Sequence, residues 1–207
     1  FSFPMPEKKI ALLTKIDGLK IDPIISEELK LVAKRLENSG WVVEEPKAPN
    51  FQEAANFQAT LWLGEFRRTG GEAISKENDP DSNFIYSQMS RRCPDTSLEK
   101  FMDSLQQRAR ISREWNKFFD QYPIILCPIT GDVPFPDLKD LESEESFDLV
   151  FDSMLPQIAP PYMGLPGLSF ATSQTKQKIP LGVQFISRKF REDLLLNIAY
   201  DLENYYP

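Results

Sequence analysis

The apolar positions of this chain follow two periodicities that alternate along it. Residues 9–14 read KIALLT, a short apolar run of the kind a buried strand presents, and Asp17-Gly18 follows as a turn signal. Asp22-Pro23 then supplies an N-cap and a proline at the first helical position. Ile25, Leu29, Val32 and Leu36 recur at helical spacing until Asn38-Ser39-Gly40 stops the pattern. Residues 41–45, WVVEE, return to a strand-like run that ends at Pro46, so the chain up to this point predicts a βαβ unit.

A second helix is predicted over residues 51–68 from Ala54, Ala55, Ala59, Leu61, Trp62, Leu63 and Phe66, with Gly70-Gly71 as its stop. Residues 75–94 are polar, with Asn78-Asp79-Pro80-Asp81 in the middle, and predict a long loop or irregular helical segment. Thr96-Ser97-Leu98-Glu99 has the form of a capping box. A long helix should follow it through Phe101, Leu105, Ala109, Trp115 and Phe119 until Pro123. The run IILCPITG, residues 124–131, predicts a buried strand that must be short, because Pro128 cannot donate to a ladder. The acidic residues 132–148 predict a solvated loop, followed by a short helix. The stretch PPYMGLPG, residues 160–167, predicts a shaped loop. Residues 168–171 and 181–186 predict a strand pair, and residues 192–204 a closing helix. No repeat or low-complexity tract interrupts this order. The expected architecture is α/β, a mixed β-sheet flanked by helices, with residues 1–207 forming one domain.

Composition narrows the function. The chain is 41% hydrophobic and 12% aromatic, enough for a substantial core. A net charge of -7 argues against a nucleic-acid partner, whose phosphates call for clustered Lys and Arg. Its apolar runs are far short of the ~20 residues that cross a bilayer, so no membrane-spanning segment is expected. Cys93 and Cys127 are the only cysteines, and Cys127 sits in an apolar run. Reduced thiols and a cytoplasmic location are therefore expected. The first residue is Phe1 rather than Met, which leads to the expectation of a fragment or processed form.

The chain has no His, which removes Ser-His and Cys-His hydrolase arrangements, and two Cys cannot make a usual four-ligand zinc site. GxGxxG, GxxxxGK and HExxH are absent. Neither a metal nor a cofactor is expected. What remains is carboxylate, Lys or Tyr chemistry. Glu44-Glu45 and Glu144-Glu145 are candidate acid pairs, with solvation as the ordinary reading, and Arg67-Arg68 and Arg91-Arg92 are candidate anion clamps, with helix-end charge as the ordinary reading of the first pair.

Four motifs in order carry a resemblance: IILCPIT at 124–130, GLPGLSF at 164–170, IPLGVQFI at 179–186 and EDLLLNIAYDLE at 192–203. Together they resemble the C-terminal half of the amidase signature family, and KIALL with WVVEE resembles the segment that follows that family's catalytic core. The resemblance implies a half-molecule. Family enzymes use a Lys, a cis-Ser and a nucleophilic Ser in a Gly-Ser-rich region upstream of this portion, and this chain has no Ser-Ser pair, so no catalytic residue carries over. It implies that the chain contributes walls of a substrate pocket for a small-molecule amide, with Pro128, Thr130, Tyr162, Met163 and Leu165 as candidate lining, each also readable as ordinary scaffold. Pro161 stands where the family commonly has Asn, and residues 171–173 lack its usual Pro, so no particular substrate follows.

The expected function is thus the substrate-pocket portion of an amide hydrolase, inactive alone. Its expected partner is the missing N-terminal amidase core or, since apolar surface would be left bare, a second copy. The alternatives are a non-catalytic binding or scaffold protein derived from the same fold and a stand-alone carboxylate enzyme.

Overall fold

The computed structural model describes residues 7–93, 95–203 and 205. Pro94 and Asn204, the predicted ends of the polar segment and of the last helix, lie outside them. Five strands form one sheet in the order β2-β1-β3-β5-β4: β1 (Lys9–Leu12), β2 (Val42–Glu44), β3 (Ile124–Pro128), β4 (Gly167–Gln174) and β5 (Pro180–Ser187). The ladders from β1 to β2 and to β3 are parallel, whereas β5 runs antiparallel to β3 and β4. The sheet is therefore mixed, and the βαβ unit is present.

Period-two alternation divides the strands between two cores. Ile10, Leu12, Ile124, Leu126, Val183 and Phe185 face one cluster. There they meet α1 (Pro23–Asn38) through Leu29, Val32 and Leu36, and α8 (Glu192–Glu203) through Leu194, Ile198 and Leu202. Ala11, Leu13, Ile125, Cys127 and Ile186 face the other. That second cluster is filled by Phe51, Ala54 and Leu61 of α2 (Phe51–Thr69), by Ile111, Trp115 and Phe119 of α5 (Leu98–Gln121), and by Ala159, Tyr162 and Met163 of α7 (Leu155–Met163). Both faces of β1 and β3 are covered, which is why their sequences read as unbroken apolar runs.

Helix ends follow their capping chemistry. The Asp22 carboxylate accepts from Ile24 N–H at 2.8 Å ahead of Pro23, and Asn50 accepts from Glu53 N–H at 3.0 Å. The Gly70-Gly71 pair does not stop the helical path. Gly70 has right-handed helical angles (φ -111°, ψ -24°), so α3 (Gly71–Glu77) follows at once and ends at Asn78, whose φ is +56°. The polar segment after it is also helical. Asp79 accepts from Ser82 N–H at 2.8 Å and Pro80 begins α4 (Pro80–Arg92), the same start as Asp22-Pro23. No residue of α4 is buried, so its apolar stripe is faint in the sequence. The cap of α5 is Ser97, which accepts from Lys100 N–H at 3.3 Å, one position beyond the expected Thr96.

The largest departure is α7. The stretch expected to loop from Pro160 is instead the second half of a helix that contains Pro160 and Pro161 and ends at Gly164 (φ +66°). A helical Pro160 cannot donate to the carbonyl of Pro156. The side chain of Gln184 on β5 does so instead, with Nε2 3.0 Å from that oxygen. The sheet thus supplies the hydrogen bond that the proline removes. The acidic run is likewise only partly loop: a 3-10 turn at Lys139–Leu141 precedes α6 (Glu144–Ser153), capped by Ser143.

Candidate functional site

In open α/β sheets ligands gather outside the carboxyl ends of the parallel strands. Here that end is held by Gly131, just past β3. Its carbonyl accepts from Asp22 N–H and its N–H donates to the Ser153 carbonyl, both at 2.8 Å, which ties the β1–α1 loop to the α6–α7 junction. A side chain at Gly131 would place its Cβ 2.4 Å from the Lys20 carbonyl oxygen, so only glycine fits. Beside it the Thr130 hydroxyl donates to the Asp132 carbonyl at 2.7 Å. Thr130 lines a cavity of about 270 Å³ with Ile129, Val133, Phe135, Met154 and Leu181.

A larger cleft of about 420 Å³ opens between α2, α4, α6 and α7. Its apolar lining comes from Ala55, Ala59, Leu63, Leu155 and Ile158, with Trp62, Met89 and Phe151, and its polar positions include Gln52, Asn56, Thr60, Cys93 and Lys100. Trp62 is 50% exposed, although its neighbours Leu61 and Leu63 on α2 are buried. Arg92 closes the α4–α6 side. Its guanidinium hydrogen-bonds Asp148 at 2.7 Å and Asp152, and lies 4.6 Å from the centroid of Phe151. Arg91 reaches the same Asp148 at 2.6 Å. The cleft touches the strand-end region through α7, where Gln157, between Leu155 and Ile158, donates to the Ile129 carbonyl at 3.2 Å.

The five lining candidates separate in the structure. Pro128 is buried at the end of β3, and Thr130 is half-buried at the 270 Å³ cavity. Tyr162 and Met163 belong to the α2/α5/α7 core, and Leu165 packs against it half-buried. The Tyr162 hydroxyl donates to the Ser104 carbonyl, and its ring stacks on Phe57 with centroids 5.6 Å apart. Burial raises the Tyr162 pKa. The cleft residues Trp62, Met89, Cys93 and Phe151 were not singled out by the sequence. A signal existed only for Trp62, as a large aromatic among the alanines of α2.

Each charged pair has at least one member with an internal partner, Arg67 donating to the Cys93 carbonyl. Glu44 accepts from Tyr122 Oη at 2.7 Å and pairs with Lys9 at 2.8 Å, and the Lys9 hydrogen bond, followed by that of Tyr122, lowers its pKa. Glu144 lies 3.4 Å from Arg91. Hydrogen bonds likewise hold Asp79, Glu145 and Asp193 low, and for Asp148 the bonds from Arg92 and Arg91 outweigh a burial effect that acts upward. A general acid needs the opposite displacement. The Arg91-Arg92 pair is engaged by Asp148 and Asp152, so the anion-clamp expectation gives way to a helix-to-helix tie. Cys93 and Cys127 are both free, and among the described residues no helix is long and apolar enough to cross a membrane.

Comparison with known proteins fits this geometry. Indoleacetamide hydrolase of Bradyrhizobium diazoefficiens is 27% identical over 197 residues, which are 95% of this chain and 37% of that protein. The indoleacetamide hydrolase of Bradyrhizobium japonicum is 26% identical over 196 residues, 94% of this chain and 42% of that protein. Among solved structures, 6-aminohexanoate cyclic dimer hydrolase superposes with a TM-score of 0.78 at 16% identity, covering 100% of this chain and 46% of that one. The chain therefore spans less than half the length of these relatives. The profile of the family described as Amidase matches residues 5–196, nearly the whole chain, and the chain belongs to that family.

Proposed function

We propose that the chain forms the substrate-pocket portion of an amidase that cleaves the carbon-nitrogen bond of a carboxamide by acyl transfer to a serine. The observation that carries this reading is the Amidase match over residues 5–196, joined to a span of only 37% of the indoleacetamide hydrolase relative. The Ser-Ser-Lys set belongs to the remaining part of the domain, so the chain is inactive alone and works with that part as its partner. No cofactor enters the reaction. Free Cys93 and Cys127 support a cytoplasmic setting.

Within the chain, Pro128 and Thr130 form the wall at the strand end, and Tyr162, Met163 and Leu165 act as its rigid backing. The 420 Å³ cleft takes the non-reacting part of the amide: its volume falls within the range of small-molecule sites, and Trp62, Met89 and Phe151 favour a flat apolar group. The test is hydrolysis of indole-3-acetamide by the chain alone and by the chain joined to the remainder of the Bradyrhizobium diazoefficiens relative. The joined protein should turn over the amide, and Trp62→Ala should raise KM roughly tenfold with kcat little changed, as loss of uniform binding requires. Turnover by the chain alone would overturn the reading.

A further inference from the structure

The helices around the 420 Å³ cleft are attached to the molecule in two different ways. α2 and α7 send Ala55, Leu61, Leu155 and Ala159 into the core, whereas α4 buries no residue and α3 only Gly71. The apolar side chains of α4, Phe84, Ile85, Tyr86 and Met89, are all half-buried. On one side of them lies a second cavity of about 370 Å³, bordered by Phe66, Ile74 and Leu141, and Met89 borders both this cavity and the cleft. α4 therefore stands between two open spaces and gains little from apolar burial.

What fixes α4 is charge. Arg92 donates to Asp148 at 2.7 Å and to Asp152, and Arg91 donates to Asp148 at 2.6 Å and lies 3.4 Å from Glu144, all carboxylates of α6. A further contact is the edge-on pair of Phe66 and Tyr86, with centroids 5.8 Å apart. The Arg91 and Asp148 side chains keep 37% and 32% of their exposure, and ion pairs this open are weak singly and screened by salt. At the other end of the segment α3 starts without a side-chain cap. Just past α4, Arg67 of α2 holds the Cys93 carbonyl, so a release of α4 stops there.

We propose that α3 and α4 form a lid on the cleft, which opens as a unit while the sheet stays folded, and that the pairs of Arg91 and Arg92 with Asp148 and Asp152 hold it shut. Opening takes Met89 and Arg92 out of the cleft wall and joins the cleft to the cavity beside α4. A 13-residue helix stripped of its neighbours is marginal in water, so the released segment also loses its helical hydrogen bonds. The lid is a property of this chain, whatever the cleft binds.

The test is amide hydrogen exchange of the chain, followed in α4 at residues 84–89 and in the core helix α5 at residues 111–119. Raising the salt from about 0.05 M to about 1 M should speed exchange in α4 roughly tenfold and leave α5 unchanged. The Asp148→Asn, Asp152→Asn double variant should exchange at the fast rate already in low salt and respond no further, with slow α5 exchange showing that it is folded. Trp62 on the cleft wall supplies a second readout. Trp41 and Trp115 are 4% and 1% exposed, so acrylamide quenching follows Trp62 and should increase with salt in the parent chain. Protection of α4 equal to that of α5 at both salt concentrations overturns the proposal, as does acceleration of both helices together. A salt response that persists in the double variant, or faster α4 exchange with Trp62 quenching unchanged, overturns it as well. Should the double variant fail to fold, the salt response of α4 and Trp62 in the parent chain decides.

Discussion

Replacing Gln184 by Met tests the strand-to-helix bond that lets α7 run through its prolines. Gln184 is 8% exposed, and its Nε2 meets the Pro156 carbonyl at 3.0 Å and Cys127 Sγ at 3.8 Å. Met has nearly the same length, so volume is conserved and the chief loss is one donor. The Pro156 carbonyl then has no partner, because the residue four positions on is Pro160. A buried carbonyl left unpaired costs about 1–3 kcal/mol, and in a two-state domain of this size each kcal/mol lowers Tm by about 2–4 °C. The decisive measurement is a double-mutant cycle by urea denaturation. Pro160→Ala restores a backbone N–H aimed at Pro156, so in that background the cost of Gln184→Met should shrink by about 1 kcal/mol or more. Equal costs in both backgrounds would refute the idea that Gln184 replaces the missing helix bond.

Tyr162→Phe should cost about 1 kcal/mol of stability through loss of the hydroxyl bond to Ser104, and should leave KM for an amide unchanged in the joined enzyme; a raised KM at unchanged stability would mean that the hydroxyl meets substrate. Asp148→Asn should loosen α4 from α6. The folded Asp148 carboxyl is held below its ordinary value, so its contribution is complete above the unfolded pKa of about 3.9 and is lost as pH falls through the folded value. The variant should therefore be less stable than the parent at pH 7, by on the order of 1 kcal/mol or less, and the gap should narrow in denaturation curves taken at successively more acid pH and close once the folded carboxyl is protonated. Burial pushes the Cys127 thiol up to about 12, while Cys93 is half-exposed at the cleft. A thiol reagent at pH 8 should label Cys93 in the folded chain and reach Cys127 only in denaturant; rapid labelling of both would contradict the packing of β3.

Much of the fold was legible because its signals are local. The Asp-Pro start of α1, the apolar runs of β1 and β3 and the stripe of α5 need no tertiary information. What the sequence hid was set by distant partners. Pro160-Pro161 reads as a helix breaker until Gln184, twenty-four positions away from Pro160, is seen to satisfy the freed carbonyl. α4 carries the same Asp-Pro start as α1 but buries nothing, so its periodicity is lost in polar residues. At the candidate site, the motif drew attention to Thr130, which stands at the 270 Å³ cavity. The cleft was not legible, because Trp62, Met89 and Phe151 come from three helices whose mutual placement depends on Arg91 and Arg92 finding Asp148 and Asp152.

The motifs that mark the family occupy joints of the scaffold more than surfaces of the cleft. Gly182, in IPLGVQFI, would put a Cβ 2.8 Å from the Phe170 carbonyl oxygen, so its glycine allows β4 and β5 to approach. Gln184 repairs α7, Gly164 supplies the left-handed end of that helix, and Gly131, next to the Pro-Ile-Thr run, fits between the β1–α1 loop and the α6–α7 junction. Such positions tolerate little change whatever the ligand. The cleft draws on α2, α4, α6 and α7, and its exposed or half-exposed residues Trp62, Met89 and Phe151 lie outside these motifs, whereas Ala55 and Leu155 of its lining also belong to the core on the sheet. The scaffold is shared with 6-aminohexanoate cyclic dimer hydrolase at only 16% identity, as expected when joints of this kind carry the fold.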